Sequence, residues 1–257
     1  MEHSELVLAS LLELAPAGVE QVDGPGWVEY AVYGAPGELP SLPHGVAEVG
    51  GVKVQVSGRE VLDDWAERWK RFHGAVLVGG RLWLRPPWEP PALRPGAHDI
   101  VIDPGQAFGT GAHPTTRLCL ELMLELPARG SFADLGCGSG VLAIAAAKLG
   151  FSPVVALDSD RESVEATGRN ARENGVSLES VSRGNLRGEP PPQADTVAAN
   201  LMRPLLLRLA ELMEERPSAL ILSGLLDHEA DEVAAAFGPL EERRRLSSGG
   251  WTALLLD

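Results

Sequence analysis

The sequence predicts an α/β protein with a mainly parallel sheet, preceded by a small α+β module. From about residue 74, short apolar runs alternate with longer helical patterns. The runs are apolar on both faces, which is typical of parallel strands covered by helices on both sides. Residues 239–248 and 251–257 follow each other without a helical pattern between them and predict two antiparallel strands.

Five further apolar runs predict the parallel strands of this sheet, at 131–135, 153–158, 178–181, 195–200 and 218–223. Helices are expected to begin near Val141 and near Arg161, where longer periodic stretches follow the first two of these runs.

The N-terminal region has a different pattern. Apolar residues at helical spacing predict a helix over 4–15, and runs at 27–33 and 52–57 predict strands on either side of a loop rich in Pro and Gly. An amphipathic helix over 60–72 would connect this module to the main domain. We therefore predict a small module at 1–58, a connecting helix at 59–73 and the catalytic domain at 74–257.

Bulk composition limits the classes of function. The chain has 257 residues, of which 44% are hydrophobic and 23% charged, and a net charge of −14. This charge does not favour binding to a phosphate backbone and suits a basic partner instead. The sequence shows no signal peptide and no apolar run long enough to span a membrane, so we expect a cytoplasmic protein. Its two cysteines have neither metal-ligand nor disulfide spacing, so we expect no structural metal.

A glycine-rich turn carries the clearest chemical signal. In ADLGCGSG (133–140), an apolar run leads into Gly136, Gly138 and Gly140 immediately before a helical pattern. A dinucleotide-binding turn requires a third glycine where this chain has Val141, which argues against an NAD-dependent enzyme. The GxGxG spacing instead favours S-adenosylmethionine, with a tight turn that binds no ligand as the alternative.

Asp158 ends the next predicted strand, eighteen residues after Gly140. In a doubly wound sheet this position lies beside the glycine turn, where a carboxylate can accept hydrogen bonds from both ribose hydroxyls. The alternative role is capping the helix that begins near Arg161, but Asp160 is equally available for that role.

The segment DPGQAFGTGAHPTT (103–116) predicts a lid loop that leads into a helix. Phe108 would shield the cofactor, and Thr110 and Thr116 would offer hydroxyl groups to it. Thr115 and Thr116 are candidates for the helix N-cap. His113 could act as a base, but the interpretation that we favour is that it orders the loop.

Asn200 ends the predicted strand at 195–200, on the ligand side of the sheet. Its side-chain carbonyl can accept a hydrogen bond from a substrate amine, and the backbone carbonyl that follows can accept another. A turn-forming asparagine is the alternative. Asn200 is therefore the residue that we predict to be catalytic.

Several segments together resemble the bacterial ribosomal protein L11 methyltransferase family (PrmA). The segments are 103–123, 134–150, 156–160, 170–176, 198–206 and 223–226. The similarity also extends back through DDWAERWKRF and RLWLRPPWEPP, so that it covers about residue 60 to the end.

The resemblance implies a Rossmann-like class I methyltransferase with a seven-stranded mixed sheet, and methylation of lysine side chains and the N-terminal amine of the ribosomal protein. It implies cofactor contacts at Thr116, Gly136, Asp158 and Asn200. Family members begin with a strand that enters a ferredoxin-like module, whereas here the helical pattern begins almost at Met1. Either that strand is missing or the true start lies upstream.

Three expectations complete the interpretation. The protein is expected to be a monomer that binds its protein substrate and does not itself bind nucleic acid. A different protein or a small-molecule amine is the alternative acceptor. A non-catalytic S-adenosylmethionine-binding protein is the alternative from another class, and the presence of Gly136, Asp158 and Asn200 argues against it.

Overall fold

A computed structural model describes residues 7, 20–24, 27–31, 45–49, 51–57, 74–91, 95–103 and 113–257. The chain divides into two compact units, Met1–Trp65 and Ala66–Asp257. The predicted connecting helix at 59–73 lies outside the described residues, so this helix and the domain boundaries around it stay predictions.

The first unit contains two antiparallel hairpins. Strand β1 (Glu20–Gly24) pairs with β2 (Trp27–Ala31), and β3 (Gly45–Val49) pairs with β4 (Val52–Val56). The strands predicted at 27–33 and 52–57 are confirmed over 27–31 and 52–56, and residues 32 and 33 lie outside the described residues. Their partners β1 and β3 were not predicted, because their sequences, EQVDG and GVAEV, contain Gly and acidic residues that are uncommon in strands. The predicted N-terminal helix lies outside the described residues except for Val7, which is helical.

The second unit begins with a small three-stranded sheet that the sequence did not reveal. Its strands are β5 (Val76–Val78), β6 (Leu82–Arg85) and β7 (His98–Val101), with β5 antiparallel and β7 parallel to β6. The inward-facing side chains of this sheet, among them Leu82 and Ile100, are fully buried in the main core.

The seven-stranded sheet matches the expected mixed architecture. Its order is β10-β9-β8-β11-β12-β14-β13, and β14 alone runs against the other six strands. The strands are β8 (Phe132–Leu135), β9 (Val154–Asp158), β10 (Ser180–Arg183), β11 (Thr196–Asn200), β12 (Ala219–Leu226), β13 (Glu242–Ser248) and β14 (Trp251–Leu256). The run predicted at 178–181 begins two residues later than expected, because Leu178 packs against the core before the strand starts.

Helices cover both faces of this sheet. They are α1 (Pro114–Leu124), α2 (Val141–Leu149), α3 (Arg161–Glu173), α4 (Arg203–Leu212) and α5 (Ala230–Ala236). Side chains alternate along the strands, so that Ala198 and Ile221 join a core with α1 and α2, whereas Val197 and Leu220 join a second core with α4 and α5.

This arrangement opens a crevice at the carboxyl ends of two neighbouring strands. Helix α2 follows β8 on one face of the sheet, and α4 follows β11 on the other, although β8 and β11 are paired. Ligands of doubly wound sheets bind at such a reversal. Within the described ranges, no helix is long and apolar enough to cross a membrane.

Candidate active site

The glycine turn between β8 and α2 requires glycine for two reasons. Gly136, Gly138 and Gly140 have φ values of +76°, +52° and +83°, a left-handed region that side chains disfavour. A Cβ at Gly136 would overlap the Leu201 side chain, and one at Gly140 would lie 2.8 Å from the Thr167 Cγ2 atom. The turn therefore requires glycine both for its left-handed conformation and because Leu201 and Thr167 pack closely against it.

Asp158 lies beside this turn, as predicted. Its Oδ2 accepts a hydrogen bond of 2.9 Å from the Gly138 N–H, and its Oδ1 accepts one of 3.0 Å from the Asp160 N–H. Each carboxylate oxygen has a second lone pair, so both can still accept from a ribose diol. Helix α3 is capped by Asp160, whose pKa is lowered by hydrogen bonds from Ser163 and Glu162.

Asp134 is a site residue that sequence reasoning missed. It lies in β8, two residues before Gly136, with only 1% of its surface exposed, and its Oδ2 accepts a 3.0 Å hydrogen bond from the Ala143 N–H. Burial and, to a smaller extent, the charge of Asp158 raise the pKa of this carboxyl to about 7, although the hydrogen bond from Ala143 lowers it. An acidic residue inside an apolar strand was the signal that could have identified it.

The two cysteines are buried thiols. The Thr167 hydroxyl donates to the Gly138 carbonyl at 3.0 Å and lies 3.3 Å from the Cys137 Sγ atom. Burial, with Asp134 nearby, raises the pKa of Cys137, and burial raises the pKa of Cys119 to about 12. Both thiols therefore stay protonated at neutral pH.

Helix α3 holds the glycine turn through asparagine side chains. Asn170 is 4% exposed, and its Nδ2 donates to the Ser139 carbonyl at 2.8 Å while its Oδ1 accepts from the Asp103 N–H at 3.2 Å. One turn later, Asn174 makes hydrogen bonds with both backbone groups of Val101. The chain that enters the predicted lid loop is thus tied to the cofactor turn, a role that the sequence alone did not indicate.

Helix α1 begins differently from the prediction. The prediction of Thr115 or Thr116 as N-cap was wrong, because His113 occupies that position and its Nδ1 accepts the Thr115 N–H at 3.3 Å. Pro114 occupies the first helical position, where its missing N–H would have no partner within the helix. Both threonines therefore fall inside the first turn, and both are 99% buried. This N-cap contact fits the predicted ordering role of His113, whose ring also packs edge-on against Trp251 at 5.1 Å.

The cap also fixes the orientation of the Asn200 amide. Burial and the charge of Arg117 lower the pKa of His113, which favours the neutral ring that can accept at Nδ1. The Thr115 Oγ1 lies 2.8 Å from this nitrogen and donates its hydrogen to it. The same oxygen then accepts from the Asn200 Nδ2 at 3.2 Å, so the Asn200 Oδ1 stays available as an acceptor.

The structure brings together most of the predicted site residues at one edge of the sheet. Gly136, Gly138 and Asp158 meet at the glycine turn, and Asn200 lies with its Nδ2 3.4 Å from the Thr116 Oγ1. The remaining two predicted contacts, Phe108 and Thr110, lie outside the described residues and stay predictions.

This chain is similar to ribosomal protein L11 methyltransferases in both sequence and fold. The family model described as ribosomal protein L11 methyltransferase (PrmA) matches residues 44–256. A ribosomal protein L11 methyltransferase from Bordetella parapertussis is 39% identical over 244 residues, which cover 89% of this chain and 74% of the relative. One from Chloroflexus aurantiacus is 37% identical over 243 residues, covering 82% and 73%.

A solved structure gives the same result. The crystal structure of ribosomal protein L11 methylase from Lactobacillus delbrueckii subsp. bulgaricus superposes with a TM-score of 0.62 at 28% identity, covering 72% of this chain and 98% of the other. The fold, the glycine turn with Asp158 and Asn200, and the match over most of the length agree with one another. This chain belongs to the ribosomal protein L11 methyltransferase (PrmA) family.

Proposed function

We propose that this protein transfers methyl groups from S-adenosylmethionine to amines of ribosomal protein L11, on lysine side chains and the N-terminus. The observation that carries the proposal is the position of Asn200. It ends the strand that pairs with β8, and the Leu201 side chain that follows it packs on Gly136 of the cofactor turn. An amine held by Asn200 would therefore lie beside the cofactor.

The residues at the turn fit this cofactor. The glycine turn would lie against the amino-acid portion of the cofactor, and Asp158 beside it has lone pairs available for the ribose hydroxyls. Thr116 and the predicted lid residues Phe108 and Thr110 complete the binding residues. When bound, the sulfonium supplies an activated methyl group for an in-line displacement.

The amine must be neutral to attack. A free lysine has a pKa of about 10.4, so only a few in ten thousand are neutral at pH 7. Burial of the amine beside a positive sulfur disfavours its ammonium form through both desolvation and like-charge repulsion. The role of Asn200 is to accept an N–H hydrogen bond at Oδ1 and so to aim the nitrogen lone pair at the methyl group.

The acidic chain, with a net charge of −14, also suits a basic protein substrate. The protein would act as a monomer in the cytoplasm, where ribosomal proteins are made, and would contact the protein substrate rather than nucleic acid.

Mass spectrometry of purified L11 after incubation with S-adenosylmethionine and this protein tests the proposal. We expect mass increases of 14 Da per methyl group, and Asn200→Ala should abolish nearly all of them while still binding S-adenosylhomocysteine. If labelled methyl groups from a total cell extract appear in other proteins or in small amines but not in L11, the assigned substrate is wrong. If no acceptor is labelled, the chain is not a methyltransferase.

A further inference from the structure

The backbone that follows Asn200 is packed against a second glycine outside the cofactor turn. Gly224 lies within β12 with φ +84°. A Cβ at this position would overlap the Leu201 carbonyl oxygen and lie 2.8 Å from the carbonyl carbon and 3.0 Å from the Leu201 nitrogen. Because the obstacle is backbone, a side chain at 224 could be accommodated only if the Leu201 peptide moved.

The sheet itself brings these two segments together. The pairing of β12 with β14 is irregular between Leu222 and Leu225, which places Gly224 in the irregularity. The neighbouring Ser223 carbonyl accepts the Leu201 N–H at 2.9 Å. The Leu201 peptide is thus held from one side by β12, while its side chain packs on Gly136.

The Leu201 carbonyl oxygen can accept a further hydrogen bond. Within the described part of the chain, no group donates a hydrogen bond to its oxygen. It directly follows Asn200, whose Oδ1 is the other available acceptor. A neutral primary amine has two N–H bonds and one lone pair, so two fixed acceptors determine the direction of the lone pair.

We infer that Gly224 is a positioning residue for methyl transfer, which acts by setting the place of the Leu201 carbonyl as the second acceptor of the amine. This inference rests on the proposed function. Ordinary contact begins at 3.4 Å, so a methyl group at 224 would displace the Leu201 carbonyl carbon by about 0.6 Å. Displacements of this size in a reacting geometry are expected to lower turnover by about 10- to 100-fold.

Gly224→Ala, with Gly96→Ala as its control, tests the inference. Gly96 has φ +83°, almost the same backbone strain, but its added Cβ would meet nothing within 4 Å. We expect Gly224→Ala to lower kcat by about 10- to 100-fold, with the Kd of S-adenosylhomocysteine within about threefold of wild type, and Gly96→Ala to change neither. Rates are normalised to the calorimetric stoichiometry of cofactor binding, so that loss of folded protein does not count as loss of turnover.

A measurement on the wild-type protein covers the case in which Gly224→Ala does not fold. Labelling with ¹³C-carbonyl leucine and ¹⁵N-methionine selects Leu-Met peptide bonds, of which the sequence has three, at 122–123, 201–202 and 212–213. Addition of L11 with S-adenosylhomocysteine should shift the carbonyl resonance of the 201–202 pair and leave the other two unchanged.

The outcomes separate the two proposals. If wild type does not methylate L11, the proposed function fails. If wild type is active but Gly224→Ala and Gly96→Ala have equal kcat, or if the Leu201 carbonyl does not respond to L11, the positioning role of Gly224 is wrong and the proposed function stands.

Discussion

At the scale of single residues, Asp134 shows how a buried charge links stability to pH. Its carboxyl is enclosed at the end of β8, and its pKa is raised to about 7, chiefly by burial. In the unfolded chain the same carboxyl has its ordinary pKa of 3.8. Between these two pH values the unfolded state releases a proton that the folded state retains, so the contribution of Asp134 to stability is greatest below about pH 4 and is lost as pH rises through 7.

Asp134→Asn is therefore expected to remove a pH dependence. Asparagine resembles the protonated form at every pH, so the free energy of unfolding of the variant should rise relative to wild type between pH 4 and 7. The change should reach a few kcal/mol, since each pKa unit corresponds to about 1.4 kcal/mol. Urea unfolding at several pH values, without cofactor, measures it, and a constant difference across this range would contradict the assignment.

Asp195→Asn provides a control, because the contribution of this carboxyl to the free energy of unfolding depends on pH in the opposite direction. Hydrogen bonds from Ser131 lower the pKa of the exposed Asp195 carboxyl, so its stabilising contribution is present above pH 4 and is lost as pH falls through its lowered pKa.

Thr115 is expected to affect turnover through the orientation of Asn200. Thr115→Val removes the hydroxyl that receives the Asn200 Nδ2 hydrogen while keeping the shape of the side chain. Loss of one neutral hydrogen bond corresponds to about 0.5–1.5 kcal/mol, so kcat should fall by up to about 10-fold. Thr115→Ser should restore it. Steady-state kinetics with saturating cofactor measure kcat for each variant. Equal kcat values for the Val and Ser variants would show that the Thr115 hydroxyl does not affect turnover.

At the scale of elements, α3 acts as a clamp on the glycine turn. Its buried residues include three polar ones beside two alanines, and one of the polar ones, Asn170, connects the carbonyl of Ser139 to the N–H of Asp103. Removal of the Asn170 amide would break both of these hydrogen bonds, and each contributes about 0.5–1.5 kcal/mol.

Asn170→Ala is therefore expected to weaken cofactor binding about 10-fold or more and to lower Tm. Arg161→Ala on the same helix is a suitable control, because its ion pair with Glu165 is exposed and contributes little. Calorimetric titration with S-adenosylhomocysteine compares the two variants, and equal affinities would mean that α3 does not support the turn.

The sequence predicted those elements whose signal is local. The glycine spacing and the apolar run before it predicted β8, the turn and the start of α2, and Asp158 and Asn200 were expected at strand ends where they lie. The N-cap of α1 was assigned wrongly, because threonine is a common cap and the effect of Pro114 was not considered. The roles of Asp134 and Asn170 depend on contacts between distant parts of the chain, which no local pattern contains.

At the scale of the whole molecule, the order of the elements predicted the architecture. Alternating strands and helices predicted a mainly parallel sheet with two antiparallel strands at the end. The family resemblance implied that this sheet is mixed and seven-stranded, and this is the sheet observed. The small sheet of β5, β6 and β7 was not predicted, because its strands have only three or four residues and are separated by turns with Pro and Gly. Short strands leave too few alternating positions to be recognised.

The burial of both thiols has a chemical consequence for a protein that handles an alkylating agent. Cys137 lies in the turn proposed to hold a sulfonium, and a thiolate there would compete with the substrate amine for the methyl group. The raised pKa of Cys137 keeps its sulfur in the weakly nucleophilic S–H form, and the same holds for Cys119. Self-methylation of Cys137 is therefore suppressed, although its position in the turn would favour it.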